Sequence, residues 1–423
     1  MRVSFPYGTG FHELELPAGA VIIEPRAAEA LADERASFLA SVREPIGAAP
    51  LRECISSGDR VVIVTSDNTR PLPNAKLVPW IIEELRHVPP ENFTVLIGTG
   101  SHRACSAAEI REMFGNDVSR TLRIVNHDAF DAGGLGKAGV TDRGGEIFLN
   151  REYLEADTRI TLGFIEPHFF AGFSGGPKAV MPGIAGIDAI MRFHSAPVID
   201  DPRATWGLLR DNPVYEMASR AACLVKPDFS IQVTLGPGHG ITGFFCGDVL
   251  EAHRAGAVFA RESSMRACDT AFDIVITSNS GHPLDRNFYQ AVKGICAAGE
   301  IVAGGGRIIS LSHCGEGIPD DSEFHEILKS HGTPGGLLDM IRDPSFARPE
   351  AWQVQKLAAV LARAEVHLFS AMQRDKAADT HCMHCADLVA LLARFMKEKP
   401  DARVAALRFG PLSIPYIRER GGL

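Results

Sequence analysis

Short apolar runs rich in β-branched residues recur along the chain, at Val61–Thr65, Phe93–Ile97, Arg159–Phe164, Ser230–Leu235, Ile274–Thr277, Arg307–Leu311, Val366–Phe369 and Val404–Phe409. Each has strand length, and several end in Gly, Ser or Thr, which favour a turn at a strand exit. Between them lie segments with helical spacing of apolar residues: Leu77–Arg86, Ser106–Phe114, Ala351–Ala362 and Asp387–Lys397. This alternation predicts an α/β protein with parallel-rich sheets covered by helices. In such sheets ligands bind outside the carboxyl ends of the strands, so the loops after the strands are where chemistry is expected. The start of the chain differs. Met1–Phe5 and Glu13–Leu16 alternate around Pro6-Tyr-Gly-Thr-Gly10, which predicts an antiparallel hairpin. A helical stretch, Val249–Met265, ends where a new strand–helix series opens at Phe272. Two domains are therefore expected, residues 1–268 and 269–423, with the active site in the cleft between them.

Composition narrows the classes. A chain of 423 residues can bury large cores in two domains without covalent staples. Lys and Arg number 43 against 52 Asp and Glu, so the net charge of −9 gives no footprint for general nucleic-acid or anionic-membrane binding. The 9 cysteines are odd in number and scattered, unlike a disulfide framework. The N-terminus lacks the charged-then-apolar pattern of a signal peptide, and no apolar run reaches the roughly 20 residues of a membrane span. A cytoplasmic protein is expected.

Candidate chemistry follows three of the strands. After Val61–Thr65 comes Ser66-Asp67-Asn68-Thr69-Arg70-Pro71. An acid, a hydroxyl and a guanidinium at a strand exit suit an anion or nucleotide, since Arg presents a planar fork to carboxylate or phosphate. Thr69 with Pro71 is equally suited to opening a helix as a cap. After Phe93–Ile97 comes Gly98-Thr-Gly-Ser-His102-Arg103, where His102 is either a proton carrier or a solvated loop histidine. After Arg159–Phe164 runs Glu166-Pro-His168-Phe-Phe-Ala-Gly-Phe-Ser174-Gly175-Gly176-Pro177-Lys178, continuing to His194. Backbone amides at Ser174–Gly176 are candidates for an anion nest, and Lys178 for a charge or a nucleophile. Pro177 and Ala179 rule out a P-loop, which needs Gly before the Lys and Ser or Thr after it.

Other motifs are weaker. Gly134-Leu-Gly136-Lys-Ala-Gly139 has the dinucleotide-binding spacing but follows no strand and opens no helix, so it reads as coincidence. Asp285 is placed to cap a helix carrying Gln290 and Lys293 on one face. His381-Cys-Met-His-Cys385 has metal-like spacing, but a zinc site there needs ligands from elsewhere.

Four ordered blocks point further: Asp67-Asn-Thr-Arg70-Pro; Gly98-Thr-Gly-Ser-His102-Arg; His168 through Gly-Phe-Ser-Gly-Gly-Pro-Lys178 to His194; and Tyr289-Gln290-Ala-Val-Lys293. In this order and spacing the sequence resembles the nickel-dependent lactate racemase family, the enzymes that use a nickel-pincer nucleotide. The resemblance implies that Lys178 carries the nickel pyridinium-3-thioamide-5-thiocarboxylic acid mononucleotide covalently and that His194 ligates the nickel. It implies His102 and His168 as the acid–base pair, and Arg70, Lys293, Tyr289 and Gln290 as substrate-binding residues. Asp67, Thr69 and the Ser174–Gly176 loop are implied to place the nucleotide, and Trp352 to line the cleft. The implied reaction moves hydride from the α-carbon of a 2-hydroxy acid to the cofactor and back to the other face of a planar keto acid. Inversion then needs a proton carrier on each side. Partners implied are a small 2-hydroxy acid and the enzymes that build the cofactor, with no nucleic acid and no membrane. Phe169 and Phe170 either favour a bulky substrate or simply pack. The alternatives are a dehydrogenase using a nicotinamide dinucleotide, for which no fingerprint exists, and a non-catalytic nucleotide binder, which would not need both histidines and the lysine.

Overall fold

The computed structural model describes residues 1–26, 28–141, 145–320 and 322–418. The chain forms two compact units. One contains Ala27–His194 and Asp201–Glu262; the other contains Met1–Arg26, Ser195–Asp200 and Ser263–Leu423.

The first unit is built on a six-stranded sheet in the order Ile241–Gly247, Phe229–Leu235, Thr158–Phe164, Val61–Ser66, Phe93–Gly98, Arg123–Asn126. All neighbours are parallel except Ile241–Gly247, which pairs antiparallel at one edge. The central strands read as continuous β-branched runs because helices bury both faces: Val61, Val62, Ile63 and Val64 are all buried. Helix Asn74–Glu84 lays Leu77, Val78 and Ile81 on this core. Helix Ala107–Thr121 opens with a capping box, in which Ser106 and Glu109 satisfy each other's backbone N–H groups, and it buries Phe114 and Val118. Chain order starts at the middle strand, Val61–Ser66, runs outward one way, then returns to build the other side from Thr158–Phe164. The order therefore reverses between these two strands, the place where sheets of this kind offer a crevice outside the carboxyl ends.

The second unit holds a wholly parallel six-stranded sheet in the order Met383–His384, Glu365–Phe369, Val302–Leu311, Phe272–Ser278, Val404–Leu407, Val21–Ile23. The expected hairpin forms between Arg2–Tyr7 and Gly10–Glu15. Its Val3, Phe5 and Leu14 pack with Ile274, Ile276, Ile309 and Leu311. This corrects the expected domain division. Residues 1–26 belong with the C-terminal part, because Val21–Ile23 pairs with Val404–Leu407 and the hairpin closes that core. Residues 195–200 join the same unit. There Arg342 pairs with Asp200 at 2.7 Å and Gln355 donates to the Ala196 carbonyl at 3.0 Å.

The weaker motifs take the following places. The Gly134–Gly139 segment forms strand Leu135–Val140, paired antiparallel with Glu146–Asn150, and is no nucleotide turn. Residues 142–144 lie outside the described residues. Asn287, not Asp285, caps helix Phe288–Gly299. Asp285 is fully buried and instead accepts the Gly8 N–H at 2.7 Å and the His313 N–H at 3.0 Å, tying the hairpin tip to the sheet loops. Cys382 is buried, and burial pushes its thiol up to about 12. No group of three or more His, Cys, Asp or Glu is placed to hold a metal among the described residues.

Candidate active site

Asp67, His102 and His168 follow three neighbouring strands of the first unit's sheet, Val61–Ser66, Phe93–Gly98 and Thr158–Phe164. The chain reversal in the sheet thus brings together residues far apart in sequence. Asp67 and His168 lie on the two loops that flank the crevice where strand order reverses.

His102 is held by Asp67, whose Oδ2 lies 2.7 Å from His102 Nδ1. The other carboxylate oxygen accepts the Thr69 hydroxyl at 2.5 Å and the Thr69 N–H at 3.2 Å. Burial alone would raise the Asp67 carboxyl, but the His102 and Thr69 bonds and the Arg70 charge outweigh it and hold it below the ordinary carboxylate value. The carboxylate is therefore ionised and accepts the Nδ1–H of the imidazole, so in the neutral ring the lone pair is on Nε2. Asp67 and Thr69 were expected to touch a nucleotide or cap a helix. The structure sets both behind His102, while helix Asn74–Glu84 starts later, with no side-chain cap. The loop carrying His102 is pinned to the segment after Lys178, where Gly100 N–H donates to the Gly183 carbonyl at 2.9 Å. A Cβ on Gly98 would sit 3.1 Å from that same carbonyl oxygen, so glycine permits the approach.

His168 has the opposite proton arrangement. The Ala171 N–H donates to His168 Nδ1 at 3.3 Å, so in the neutral ring the proton is on Nε2. Phe170 joins three expected residues. Its ring lies edge-on to His168 at 4.5 Å and to His194 at 5.5 Å, with Lys178 Nζ 5.5 Å from its centroid. His194 ends helix Ile187–Phe193, and its Nδ1 lies 3.0 Å from the Ile190 carbonyl. A carbonyl only accepts, so Nδ1 carries the proton and Nε2 the lone pair. Burial, then the Lys178 charge, push this imidazole down to about 3, with His102 adding to the effect against the opposing Ile190 bond. His194 is thus neutral, as a metal ligand must be.

Two of the three amides of the Ser174–Gly176 turn, the candidate anion nest, are taken up by the protein itself. The Ser174 N–H donates to the Glu166 carbonyl at 2.9 Å, and the Gly176 N–H to Gln232 Oε1 at 2.8 Å. These amides face the protein, and the turn serves as the base from which Lys178 projects.

Tyr289, Gln290 and Lys293 lie in the second unit, on the first turns of helix Phe288–Gly299. Lys293 Nζ donates to Gln290 Oε1 at 2.8 Å, Gln353 donates to the Tyr289 carbonyl at 2.6 Å, and the Tyr289 ring stands edge-on to Phe324 at 5.1 Å. Trp352 is buried in the helix Ala351–Leu361. A cavity of about 710 Å³ in this unit, with Arg26, Arg266 and Arg403 on its wall, contains none of the expected residues. Sequence reasoning missed Gln232 and His253, which sit in a strand and a helix without any motif. It left open the role of Phe170, which adjacency to His168 alone could have flagged.

Residues 7–207 match the family domain described as Lactate racemase N-terminal domain, and residues 268–410 match the Lactate racemase C-terminal domain. The chain is 37% identical over 324 residues to the lactate racemase of Lactiplantibacillus plantarum, covering 76% of each chain. It is 35% identical over 324 residues to that of Thermoanaerobacterium thermosaccharolyticum, again covering 76% of each. The chain belongs to the lactate racemase family. Membership places it among the isomerases. The fold agrees: the lactate racemase apoprotein from T. thermosaccharolyticum superposes with a TM-score of 0.92 at 30% identity, over 98% of this chain and all of that one. A Thermotoga maritima protein shares the fold at 17% identity and a TM-score of 0.69. No helix among the described residues is long and apolar enough to cross a membrane.

Proposed function

We propose that the protein racemises a 2-hydroxy acid, lactate or a close relative, using His102 and His168 as opposed proton carriers. The observation that carries this reading is that each ring is held through Nδ1, His102 by Asp67 and His168 by the Ala171 N–H, so that Nε2 is the nitrogen that exchanges a proton in each. The histidine that takes the hydroxyl proton starts neutral, and the one that returns a proton does so as the imidazolium. Inversion of a centre bearing a hydroxyl needs one group to take the hydroxyl proton and another to return it. For the reverse reaction the two exchange roles.

The residues fit the nickel-pincer nucleotide of the family. Lys178 would hold it covalently, and the neutral His194, with its lone pair on Nε2, would ligate the nickel as a borderline donor suited to that metal. When bound, the group supplies the hydride acceptor that lets the α-carbon become planar. This chain's own residues do the rest. In the first unit Arg70 offers a guanidinium suited to the substrate carboxylate; in the second, Lys293 offers an ammonium, which Gln290 holds in place. Tyr289 shares the helix with Gln290 and Lys293. Asp67 and Thr69 orient His102. Phe170 contributes an apolar wall that keeps water from His168. The reading places the protein in the cytoplasm, dependent on cofactor-building enzymes and without nucleic-acid or membrane partners.

The test is co-expression with those enzymes, followed by peptide mass spectrometry. A covalent adduct on Lys178, absent in Lys178→Arg, is expected. An unmodified Lys178 despite verified cofactor synthesis would refute the assignment.

A further inference from the structure

Two buried polar side chains outside the expected site lie directly against the turn that carries Lys178. Gln232, from the strand Phe229–Leu235 that lies next to the sheet edge, is fully buried. Its Oε1 accepts the Gly176 N–H at 2.8 Å, and its Nε2 donates to Ser230 Oγ at 2.6 Å. His253, from helix Glu251–Ser264, is also fully buried. Its Nε2 donates to the Ser174 carbonyl at 2.9 Å, and its ring stacks on Tyr215 at 5.6 Å and 22°. The two side chains therefore grip the turn from both sides of Gly175.

The glycines are explained by this grip. A Cβ on Gly175 would sit 2.7 Å from Gln232 Oε1, and one on Gly176 would sit 2.4 Å from the His253 ring. Both residues also have left-handed backbones, with φ of 78° and 55°. On the facing strand a Cβ on Gly163 would fall 1.9 Å from Gln232 Oε1, so that glycine makes room for the same amide. His253 Nδ1 is buried with no polar partner among the described residues. An apolar side chain there would remove that cost. The imidazole thus brings the donor for Ser174 at some expense of stability, which points to a role in the site.

We propose that Gln232 and His253 are positioning residues for Lys178: they fix the Ser174–Gly176 turn so that the lysine is presented for attachment of the cofactor. The proposal rests on the reading of Lys178 as the attachment residue, and it predicts that loading depends on the grip more than on overall stability.

The full chain is co-expressed with the cofactor-building enzymes as wild type, Gln232→Leu, Gln232→Glu, His253→Leu, His253→Gln and Thr161→Val. The fraction bearing an adduct on Lys178 is read by peptide mass spectrometry, and melting temperatures are measured on unloaded chains. Thr161 bonds Ser230 at 3.0 Å in the same buried network without touching the turn, so its variant reports plain destabilisation. Gln232→Leu and His253→Leu are expected to lower the loaded fraction about tenfold. Gln232→Glu keeps the acceptor for Gly176 and His253→Gln keeps a donor for Ser174, so both recover much of the loading. Thr161→Val loads like wild type. Loading that simply follows melting temperature, with no recovery in the conservative variants, overturns the proposal.

A second readout is independent of the cofactor. Acetylation of Lys178 in the unloaded chain, relative to the half-exposed Lys137, should rise about threefold in Gln232→Leu and return in Gln232→Glu. An unchanged ratio overturns the grip. If wild type carries no adduct on Lys178 yet the ratio moves as expected, the attachment reading fails while the seat of the turn stands.

Discussion

Asp67→Asn separates the orientation of His102 from everything else in the site. Asparagine matches the size of aspartate in a position only 5% exposed, so packing is kept while the charge is lost. The contact altered is the 2.7 Å bond to His102 Nδ1, which an amide oxygen can still accept but without the charge of a carboxylate that Thr69 also grips at 2.5 Å. A hydrogen bond to a charged group is worth roughly 1.5–3 kcal/mol. Asp67 acts most when His102 holds the extra proton, so most of that energy should appear in the transition state. At about 1.4 kcal/mol per decade, kcat should fall roughly ten- to a hundredfold, with KM changing less than about twofold. Thr69→Val, which loses only the supporting hydroxyl, should give a smaller fall of the same kind. The assay is chiral separation of product from each enantiomer under initial-rate conditions, normalised to the loaded fraction. Enantiomers have equal free energy in water, so kcat/KM must drop by the same factor in both directions. An Asp67→Asn enzyme with unchanged kcat, or one impaired only in KM, would refute the orienting role.

Other consequences can be checked together. Burial pushes His253 down to about 4, with Lys178 adding to this against the Ser174 bond. The unfolded chain takes up that proton below about 6.5 while the folded one does not, so stability should decline by about 2 kcal/mol between pH 7 and pH 5. Urea unfolding at the two values should show His253→Gln lacking this increment; an identical pH dependence would contradict it. Phe170→Leu removes the edge contacts to His168 and His194, each worth about 0.5–1.5 kcal/mol. Turnover should fall far more than the melting temperature suggests, and wild-type turnover would count against Phe170 as the wall of the site. A chain lacking residues 1–26 should lose the edge strand Val21–Ile23 and expose Ile274 and Ile276, giving insoluble protein or an early separate melting step. A soluble truncated chain with an unchanged melting curve would refute the discontinuous second unit.

The strands were legible because parallel strands covered on both faces must be written as apolar β-branched runs, as in Val61–Ser66 and Phe93–Gly98. The helix starts were legible where a capping residue and its partner are adjacent in sequence, as with Ser106 and Glu109. The site loops were legible because chemistry at strand exits leaves Gly, His and charged residues in short ordered blocks. Pairings across long separations were not. Nothing local tells that Val21 registers with Ala405, so residues 1–26 were placed in the wrong unit. Asp67 and His102 are 35 residues apart, and their contact follows only from adjacent strands ending at the same level. Gln232 lies inside a strand and His253 inside a helix, where their residue types carry no signal until the turn at Gly175 is placed against them.

The central claim is that two histidines move the hydroxyl proton while the α-hydrogen leaves and returns as hydride. It is tested most directly with single-enantiomer lactate deuterated at the α-carbon, given to the loaded enzyme in ordinary water. Accumulation of the mirror-image acid to an equal amount with the deuterium retained is predicted, together with loss of inversion in His102→Ala and His168→Ala. Failure to invert lactate or any other 2-hydroxy acid, or inversion with the deuterium exchanged for solvent hydrogen, would contradict the account.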